Sequence, residues 1–343
     1  MVKLGVFFGG RSGEHEVSLV SAVAVMKAVD QSKYQVVPIG ITKEGKWLKY
    51  DGPWEKIENG TWEEEGVAFE FAELKGAIDF ALPILHGTFG EDGTIQGLFE
   101  MMDIPYAGCG VLSSAINMDK GFTKDLLVQY GIPTSKHELV MGEEVEKDLD
   151  GAANRVGEGL GYPVFVKPAN AGSSVGVSKA KDFEGLKKAL LLAKEYDRRI
   201  VVEKAINCRE IETAVIGNEE PMVGAVGEIV VVADFYDYAA KYTDDAGTKL
   251  EIPANIDAET EKKIKDLAIK TYKALDCAGF ARVDFFLEKE TGEIYVNEIN
   301  TIPGFTKHSM FPSLWKEAGL DFGPLVEKII GYGYERYNAK NSR

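Results

Sequence analysis

Apolar and polar positions along the chain switch between two periods, and the switches mark the elements. Residues 2–8 (VKLGVFF) form an apolar run that ends in Gly9-Gly10, and Val17, Val20, Ala24 and Ala28 then recur near helical spacing. That pattern is strand, glycine turn, helix. A β-rich run over 34–42, a strand over 78–85 and a helix over 94–102 continue the alternation of a parallel α/β layer. The first domain is expected to end near residue 115.

A helix is expected over 113–130, closed by Gly131 and stopped by Pro133. The pattern then changes. Residues 162–168 (YPVFVKP) read as a strand, 169–176 as a Gly- and Ser-rich loop, and 177–180 as a second strand. Phe183, Leu186, Leu190 and Ala193 share one helix face, and a further strand covers 199–206. This second unit, 116–207, is too short in strands to be doubly wound and reads as α+β. Beyond it, 210–232 is again β-rich. Residues 233–254 (ADFYDYAAKYTDDAGTKLEIPA) lack periodicity, and so long an aperiodic stretch inside a compact domain is usually a lid or a disordered segment. Asp257 caps a helix carrying Ile264, Leu267, Ala268, Thr271 and Leu275. Strands over 279–287 and 293–300 and two short helices complete a third domain, 208–343.

Composition narrows the function classes. Lys and Arg number 39 against 55 Asp and Glu, a formal charge of −16 without a long basic block, which disfavours nucleic acid as a partner. No apolar run approaches the roughly 18 to 20 residues of a membrane span, so no membrane role is expected. The first apolar run is too short for a secretory h-region, and a cytoplasmic location is expected. Cys109, Cys208 and Cys277 lie far apart with no CxxC, which gives neither a disulfide framework nor a thiolate zinc site. All three read as small buried residues. His15, His137 and His308 likewise read as surface or hydrogen-bonding residues.

Chemistry concentrates at three places. GFARVDFFLE and EIYVNEIN form a hairpin; a three-residue loop Glu290-Thr291-Gly292, with Gly292 left-handed, sets Lys289 against Glu293, Asp284 against Glu298 and Arg282 against Asn300. Those last four side chains then share one face, and Val283, Phe285, Leu287 and Tyr295 supply the core on the other. Opposed carboxylates repel unless a cation lies between them, and this set of hard oxygen donors suits Mg²⁺ held together with substrate phosphates. Second, Lys167 precedes PANAGSSVG, where glycines and hydroxyls let backbone N–H groups approach phosphate oxygens, although the loop is no Walker A sequence and a plain hairpin loop fits it as well. Third, GGRSGEHE lies between the first strand and helix, where either a ligand over a helix N-terminus or an ordinary tight turn fits, and GxGxxG spacing is absent.

In this order the segments resemble the ATP-grasp superfamily and, within it, the D-alanyl-D-alanine ligase family. GGRSGEHEVSL, LHGTFGEDGTIQGLFE, MDK, VKPANAGSSVGVSK, FYDYAAKYT, ARVDFF and NEINTIPGFTKHSM carry the resemblance, running from residue 9 to 310 in the family's order. It implies an α/β and α+β multidomain protein: a Rossmann-like N-terminal domain, 1–115, holding the first D-alanine site, then a two-part ATP-grasp fold. ATP would lie between two antiparallel sheets. Lys120 and Lys167 would contact phosphates, with Ser173, Ser174 and Lys241 also in the ATP site. Glu203, Lys204 and Ile206 would belong to the adenine hinge, and Glu210 would bind the ribose. Asp284, Glu298 and Asn300 match the family's magnesium ligands, two ions being expected and Mn²⁺ able to substitute.

The same resemblance implies the substrate contacts. Arg282 and the backbone of Gly304 would form the oxyanion site, and Ser309 with Met310 would take the carboxylate of the second D-alanine. Glu14 would hold the ammonium of the first D-alanine and join Ser173 and Tyr242 in a hydrogen-bonded set, with His86 near that substrate. The stretch 233–254 would be the lid, and AKY at 240–242 matches dipeptide-forming members, whereas ester-forming ones tend to have Phe or His at the Tyr242 position. The implied activity is ATP-dependent ligation of two D-alanine molecules through D-alanyl phosphate, for peptidoglycan precursor synthesis, in a homodimer. Related alternatives are D-lactate or D-serine as second substrate, or another carboxylate–amine ligase. A non-catalytic nucleotide-binding module is expected to lose a metal ligand or Arg282, and a dehydrogenase does not account for the carboxylate hairpin.

Overall fold

The computed structural model describes residues 1–172, 175–231 and 248–342. The first apolar run is strand β1 (Val2–Gly9), followed by α1 (His15–Ala28) and β2 (Tyr34–Ile41). The layer continues through β3 (Trp47–Lys49), α2 (Trp54–Glu58), β4 (Val67–Ala68), α3 (Leu74–Ala77) and β5 (Phe80–Pro83). The sheet order is β4-β3-β2-β1-β5, with β1 parallel to both β2 and β5. Leu4, Val6 and Phe8 point to one core and Phe7 to another, so both faces of β1 are covered and its sequence is continuously apolar rather than alternating. The buried stripe of α1 is Leu19, Ala22, Val23 and Met26; Val20 is exposed and Val17, Ala24 and Ala28 are half-buried, so the helix is rotated from the expected face.

Helix α4 (Thr94–Met101) leads into a correction. The expected helix over 113–130 is two helices, α5 (Val111–Met118) and α6 (Lys120–Gln129), broken at Asp119. Asp119 has an extended backbone, and its carboxylate accepts from the N–H groups of Gly121 and Phe122, an N-cap that starts α6 afresh. Next come β6 (His137–Met141), α7 (Gly142–Lys147), α8 (Leu149–Leu160), β7 (Val164–Pro168), β8 (Ser178–Ala180), α9 (Phe183–Lys194) and β9 (Arg199–Lys204). Their sheet, β6-β9-β7-β8, is antiparallel throughout, and α8 and α9 cover it with Val156, Leu186, Leu190 and Ala193.

The third sheet holds β10 (Cys208–Gly217), β11 (Met222–Val231), β12 (Thr248–Glu251), β13 (Gly279–Glu288) and β14 (Ile294–Asn300), in the order β12-β11-β10-β13-β14. Strand β12 pairs with β11, so the C-terminal part of the aperiodic stretch is ladder, not loop. Helix α10 (Ala258–Ala274) starts at Asp257, which caps Glu259 and Thr260 as expected, and buries Ile264, Ala268 and Thr271. The chain ends in α11 (Met310–Glu317) and α12 (Phe322–Asn341); α12 is 20 residues long and not short. Leu325, Val326 and Ile329 of α12 join Phe280, Phe305 and Phe311 in the same core as Leu4, Val6 and Phe8. That shared core fixes the third domain against the first. Cys109 and Cys277 are buried, but Cys208 is only half-buried at the start of β10, with its thiol pushed up to about 11 by burial and by Glu210.

Candidate active site

The carboxylate hairpin reaches the expected register by an unexpected route. Arg282 is opposite Asn300 and Asp284 opposite Glu298, but Leu287 pairs with Ile294, one residue out of step. The loop therefore spans 289–292, with Gly292 at φ +72°, and Glu288 rather than Lys289 meets Glu293 through an N–H donated to the Glu293 carbonyl. A bulge at Asn297 absorbs the difference and restores Glu298 to the Asp284 position. It also turns Tyr295 to the side of Phe286, away from the core that Val296 and Ile299 enter.

On the polar face, Arg282 donates to both Asp284 oxygens at 2.7 Å, and its Nε lies 2.9 Å from Glu212 on β10. Burial opposes the guanidinium charge, but Asp284 and Glu212 outweigh it and hold the pKa above the ordinary range. Asn300 Nδ2 donates to Asp284 at 2.8 Å. Glu210, two residues before Glu212, shares this face and is half-buried.

Lys120, first residue of α6, brings the second domain to the hairpin. Its Nζ donates to the Ala171 carbonyl at 2.8 Å and lies 3.4 Å from Glu298 Oε2. Asp119 beside it is anchored by Arg199 Nε at 2.9 Å and by Asn170 Nδ2 at 3.3 Å, so the break in the helix fixes Lys120 where the glycine loop begins. Ser173, Ser174, Lys241 and Tyr242 lie outside the described residues.

Behind the glycine loop is a buried ionic group that sequence reasoning missed in part. Lys167 Nζ lies 3.0 Å from Glu203 Oε1, and Lys124 Nζ lies 3.3 Å from Glu203 Oε2, which also accepts from Ser135 Oγ at 2.9 Å. Burial raises the Glu203 pKa, yet Lys124 and Lys167 override it and hold the carboxyl at about 2. The Glu203 side chain thus faces lysines. Lys204 donates to the Tyr162 carbonyl at 2.9 Å, and half-buried Ile206 lies in the short link between β9 and β10, where the two sheets meet.

The first domain contributes the other wall. Gly9 and Gly10 have positive φ, and a methyl group on Gly9 would lie 2.3 Å from the Ile41 carbonyl, so the turn needs glycine. Buried His15 is within 2.7 Å of the Gly10 carbonyl, a hydrogen-bonding role as expected. Glu14, at the N-cap of α1, aims its carboxylate at the glycine loop: methyl groups on Gly172 and Gly87 would fall 2.4 and 2.7 Å from Glu14 Oε2.

His86 is buried, with Nδ1 2.8 Å from the Ile302 carbonyl and Nε2 3.0 Å from Ser21 Oγ. Nδ1 must donate to a carbonyl, so the neutral ring accepts from Ser21 at Nε2. Burial lowers this imidazole's pKa, and Glu14 pulls it partly back. Glu91, also unforeseen, accepts from Gly87 N–H at 3.0 Å and Ile302 N–H at 2.7 Å, clamping the His86 loop to the segment after β14; burial first and Glu14 second push its carboxyl up to about 7. A methyl on Gly304 would lie 3.1 Å from Ser309 Oγ, and Ser309 precedes α11, whose N-terminus is suited to a carboxylate. The Met310 side chain is buried in the core.

Among the described residues no cluster of three or more His, Cys, Asp or Glu side chains forms a metal cage. Asp284, Glu298 and Asn300 put hard oxygen donors on one face of the hairpin, the type of donor that suits Mg²⁺.

Residues 3–109 match the family model for the D-ala D-ala ligase N-terminus, and 126–331 that for the D-ala D-ala ligase C-terminus. The chain belongs to the D-ala D-ala ligase family. Its α/β layer and paired antiparallel sheets are accordingly the multidomain ATP-grasp fold of that family. Curated relatives named D-alanine--D-alanine ligase include one from Acetivibrio thermocellus, 48% identical over 97% of this chain and 96% of its own, and one from Ruminiclostridium cellulolyticum, 49% identical over 98% and 96%. The VanG D-Ala:D-Ser ligase from Enterococcus faecalis superposes with TM-score 0.88 at 42% identity, covering 97% of this chain and 99% of that one. The D-alanine-D-alanine ligase from Coxiella burnetii gives TM-score 0.86 at 32% identity, covering 100% and 98%.

Proposed function

We propose that the chain joins two D-alanine molecules at the expense of ATP, through a D-alanyl phosphate. The observation that carries this reading is Lys120 Nζ set between the Ala171 carbonyl of the glycine loop and Glu298 of the carboxylate hairpin, at 2.8 and 3.4 Å. It supports a phosphate cradle next to a magnesium-type donor set. Full-length kinship to curated D-alanine ligases supplies the substrate.

An amine and a carboxylate at neutral pH form an unreactive ion pair, so the carboxylate must first gain a leaving group. A carboxylate oxygen of the first D-alanine attacks the γ-phosphorus of ATP, releasing ADP. Phosphoryl transfer needs mainly positioning and charge neutralisation, which Lys120 and Lys167 provide. Mg²⁺ held by Asp284, Glu298 and Asn300 supplies further neutralisation. Glu14 holds the first ammonium and Ser309 with the α11 N-terminus the second carboxylate. The second amine, having lost a proton, attacks the acyl carbon; Arg282 and the Gly304 N–H stabilise the oxyanion, and phosphate leaves. The acyl phosphate is prone to hydrolysis, so the stretch 233–254, of which 233–247 lies outside the described residues, is assigned the role of a lid that excludes water.

The product feeds peptidoglycan synthesis in this reading. Among the described residues no helix is long and apolar enough to cross a membrane, and the three cysteines are free, which supports a cytoplasmic enzyme. A homodimer is part of the same proposal, for which exposed Met101, Leu112 and Val128 offer apolar surface. D-alanine labelled with ¹⁸O in its carboxylate tests the acyl phosphate: one labelled oxygen is expected in each phosphate released, and unlabelled phosphate would overturn the route.

A further inference from the structure

We propose that Lys124 is a positioning residue for the nucleotide: a fully enclosed second cation that offsets Glu203, so that the site keeps a net positive charge for the phosphates. The inference rests on the ATP reading above and adds a residue that touches neither substrate. Lys124 has a side chain 1% exposed, and its Nζ lies within 3.3 Å of Glu203 Oε2, 3.1 Å of Thr134 Oγ1, 3.0 Å of Ser135 Oγ and 3.3 Å of the Asn297 carbonyl. An enclosed cation acts only through its neighbours.

Charge counting distinguishes this role from plain structural support. Glu203 already has a cation in Lys167 at 3.0 Å, so that pair alone is neutral and needs no third partner to be satisfied. Burying a lysine is costly unless its charge is used. With Lys124 present the trio carries one net positive charge, and Lys167, half-enclosed at 12% exposure, is its only member near the surface of the glycine loop. The low dielectric of the site lets a charge one layer down act on what binds above it.

The fourth contact adds geometry to charge. Asn297 is the bulge residue that returns Glu298 to its place opposite Asp284. Lys124 donates to its carbonyl, while Thr134 beside it donates to the Val296 carbonyl at 2.8 Å. One side chain on α6 therefore ties the β9 carboxylate to the bulged strand β14, and so the phosphate cradle to the metal-type hairpin.

The test compares the full chain, Lys124→Met, Lys124→Gln and Lys124→Arg, the last of which keeps the trio's single positive charge. Calorimetric titration with ADP in Mg²⁺ is the direct readout, with KM for ATP and for D-alanine beside it. Lys124→Met is expected to weaken ADP binding and raise KM for ATP by about tenfold, leaving KM for D-alanine within about twofold. Lys124→Arg is expected within about threefold of the parent. Folded Lys124→Met that binds ADP like the parent overturns the inference. So does folded Lys124→Gln that binds ADP like the parent, which keeps the test decisive if Lys124→Met does not fold. A parent chain that neither binds ADP nor releases phosphate would instead overturn the ATP reading itself.

Discussion

Asp284 and Glu298 face each other across β13 and β14, and each has its own cation: Arg282 at 2.7 Å from Asp284 and Lys120 at 3.4 Å from Glu298. The first cation is local to the hairpin, while the second comes from α6 in another domain. Relief of the repulsion between the carboxylates thus draws on a cation from outside the hairpin as well as on one within it. The same arrangement turns each contact into a prediction.

Arg282 makes two parallel bonds to Asp284 and a contact to Glu212, a pattern that a lysine point charge cannot reproduce. Arg282→Lys is expected to lower kcat by roughly 10²- to 10³-fold, the usual loss when an oxyanion donor goes, with KM for ATP little changed. Steady-state phosphate release measures both constants. A kcat within about threefold of the parent would remove Arg282 from the oxyanion role.

A methyl on Gly172 would lie 2.4 Å from Glu14 Oε2, and the flexible carboxylate is what must move. Gly172→Ala is therefore expected to raise KM for the first D-alanine by about tenfold or more, since displacements near 1 Å at a positioning group cost up to about 10²-fold. Thermal stability should change little. An unchanged KM would show that Glu14 does not hold the ammonium.

Asp119 caps α6 and holds Arg199 at 2.9 Å. Asp119→Ala is expected to cost about 1 to 2 kcal/mol for the cap alone and to raise KM for ATP through Lys120, its neighbour in the chain. Chemical denaturation and kinetics check the two effects separately. Loss of stability with unaltered KM would sever Lys120's position from the cap.

Glu91 has its carboxyl raised from 4.5 to about 7, chiefly by burial. The folded state then holds the proton more tightly than the unfolded state, so this group's contribution is fully present below pH 4.5 and is lost as pH rises to about 7. The loss is worth about 3 kcal/mol. Stability measured at pH 5 and pH 7.5 should fall more steeply in the parent than in Glu91→Gln. Equal slopes would show that Glu91 is ionised throughout.

The hairpin shows how a sequence can yield the right pair by the wrong count. Alternation placed Asp284 opposite Glu298, yet a loop longer by one residue and a bulge at Asn297 cancel each other, and no composition signal marks the bulge. The cost of that blind spot is Tyr295, expected in the core and found on the other face. Asp119 was legible: an Asp before Lys-Gly-Phe is an N-cap signature, but the apolar spacing over 113–130 conceals the break. For α1, the competing stripe Leu19, Ala22, Val23 and Met26 fits i, i+3, i+4, i+7 better than Val17, Val20, Ala24 and Ala28 do.

Lys124 had one signal, its position three residues before buried Leu127 on the inward stripe of α6. A lysine there is a charge on a core face, and only the fold reveals Glu203 waiting for it. Lys204 and Glu210 lie in the strands on either side of the link between sheets, whereas the roles of Ser173, Ser174, Lys241 and Tyr242 rest on the sequence, because those residues lie outside the described residues.

The central claim is tested most directly by incubating the protein with ATP, Mg²⁺ and D-alanine as the sole amino acid, then measuring phosphate and identifying products by mass. One D-alanyl-D-alanine per phosphate is the predicted result. Protein that is folded and binds ATP but yields neither phosphate nor dipeptide would contradict it, and would move the question to another acid and another amine.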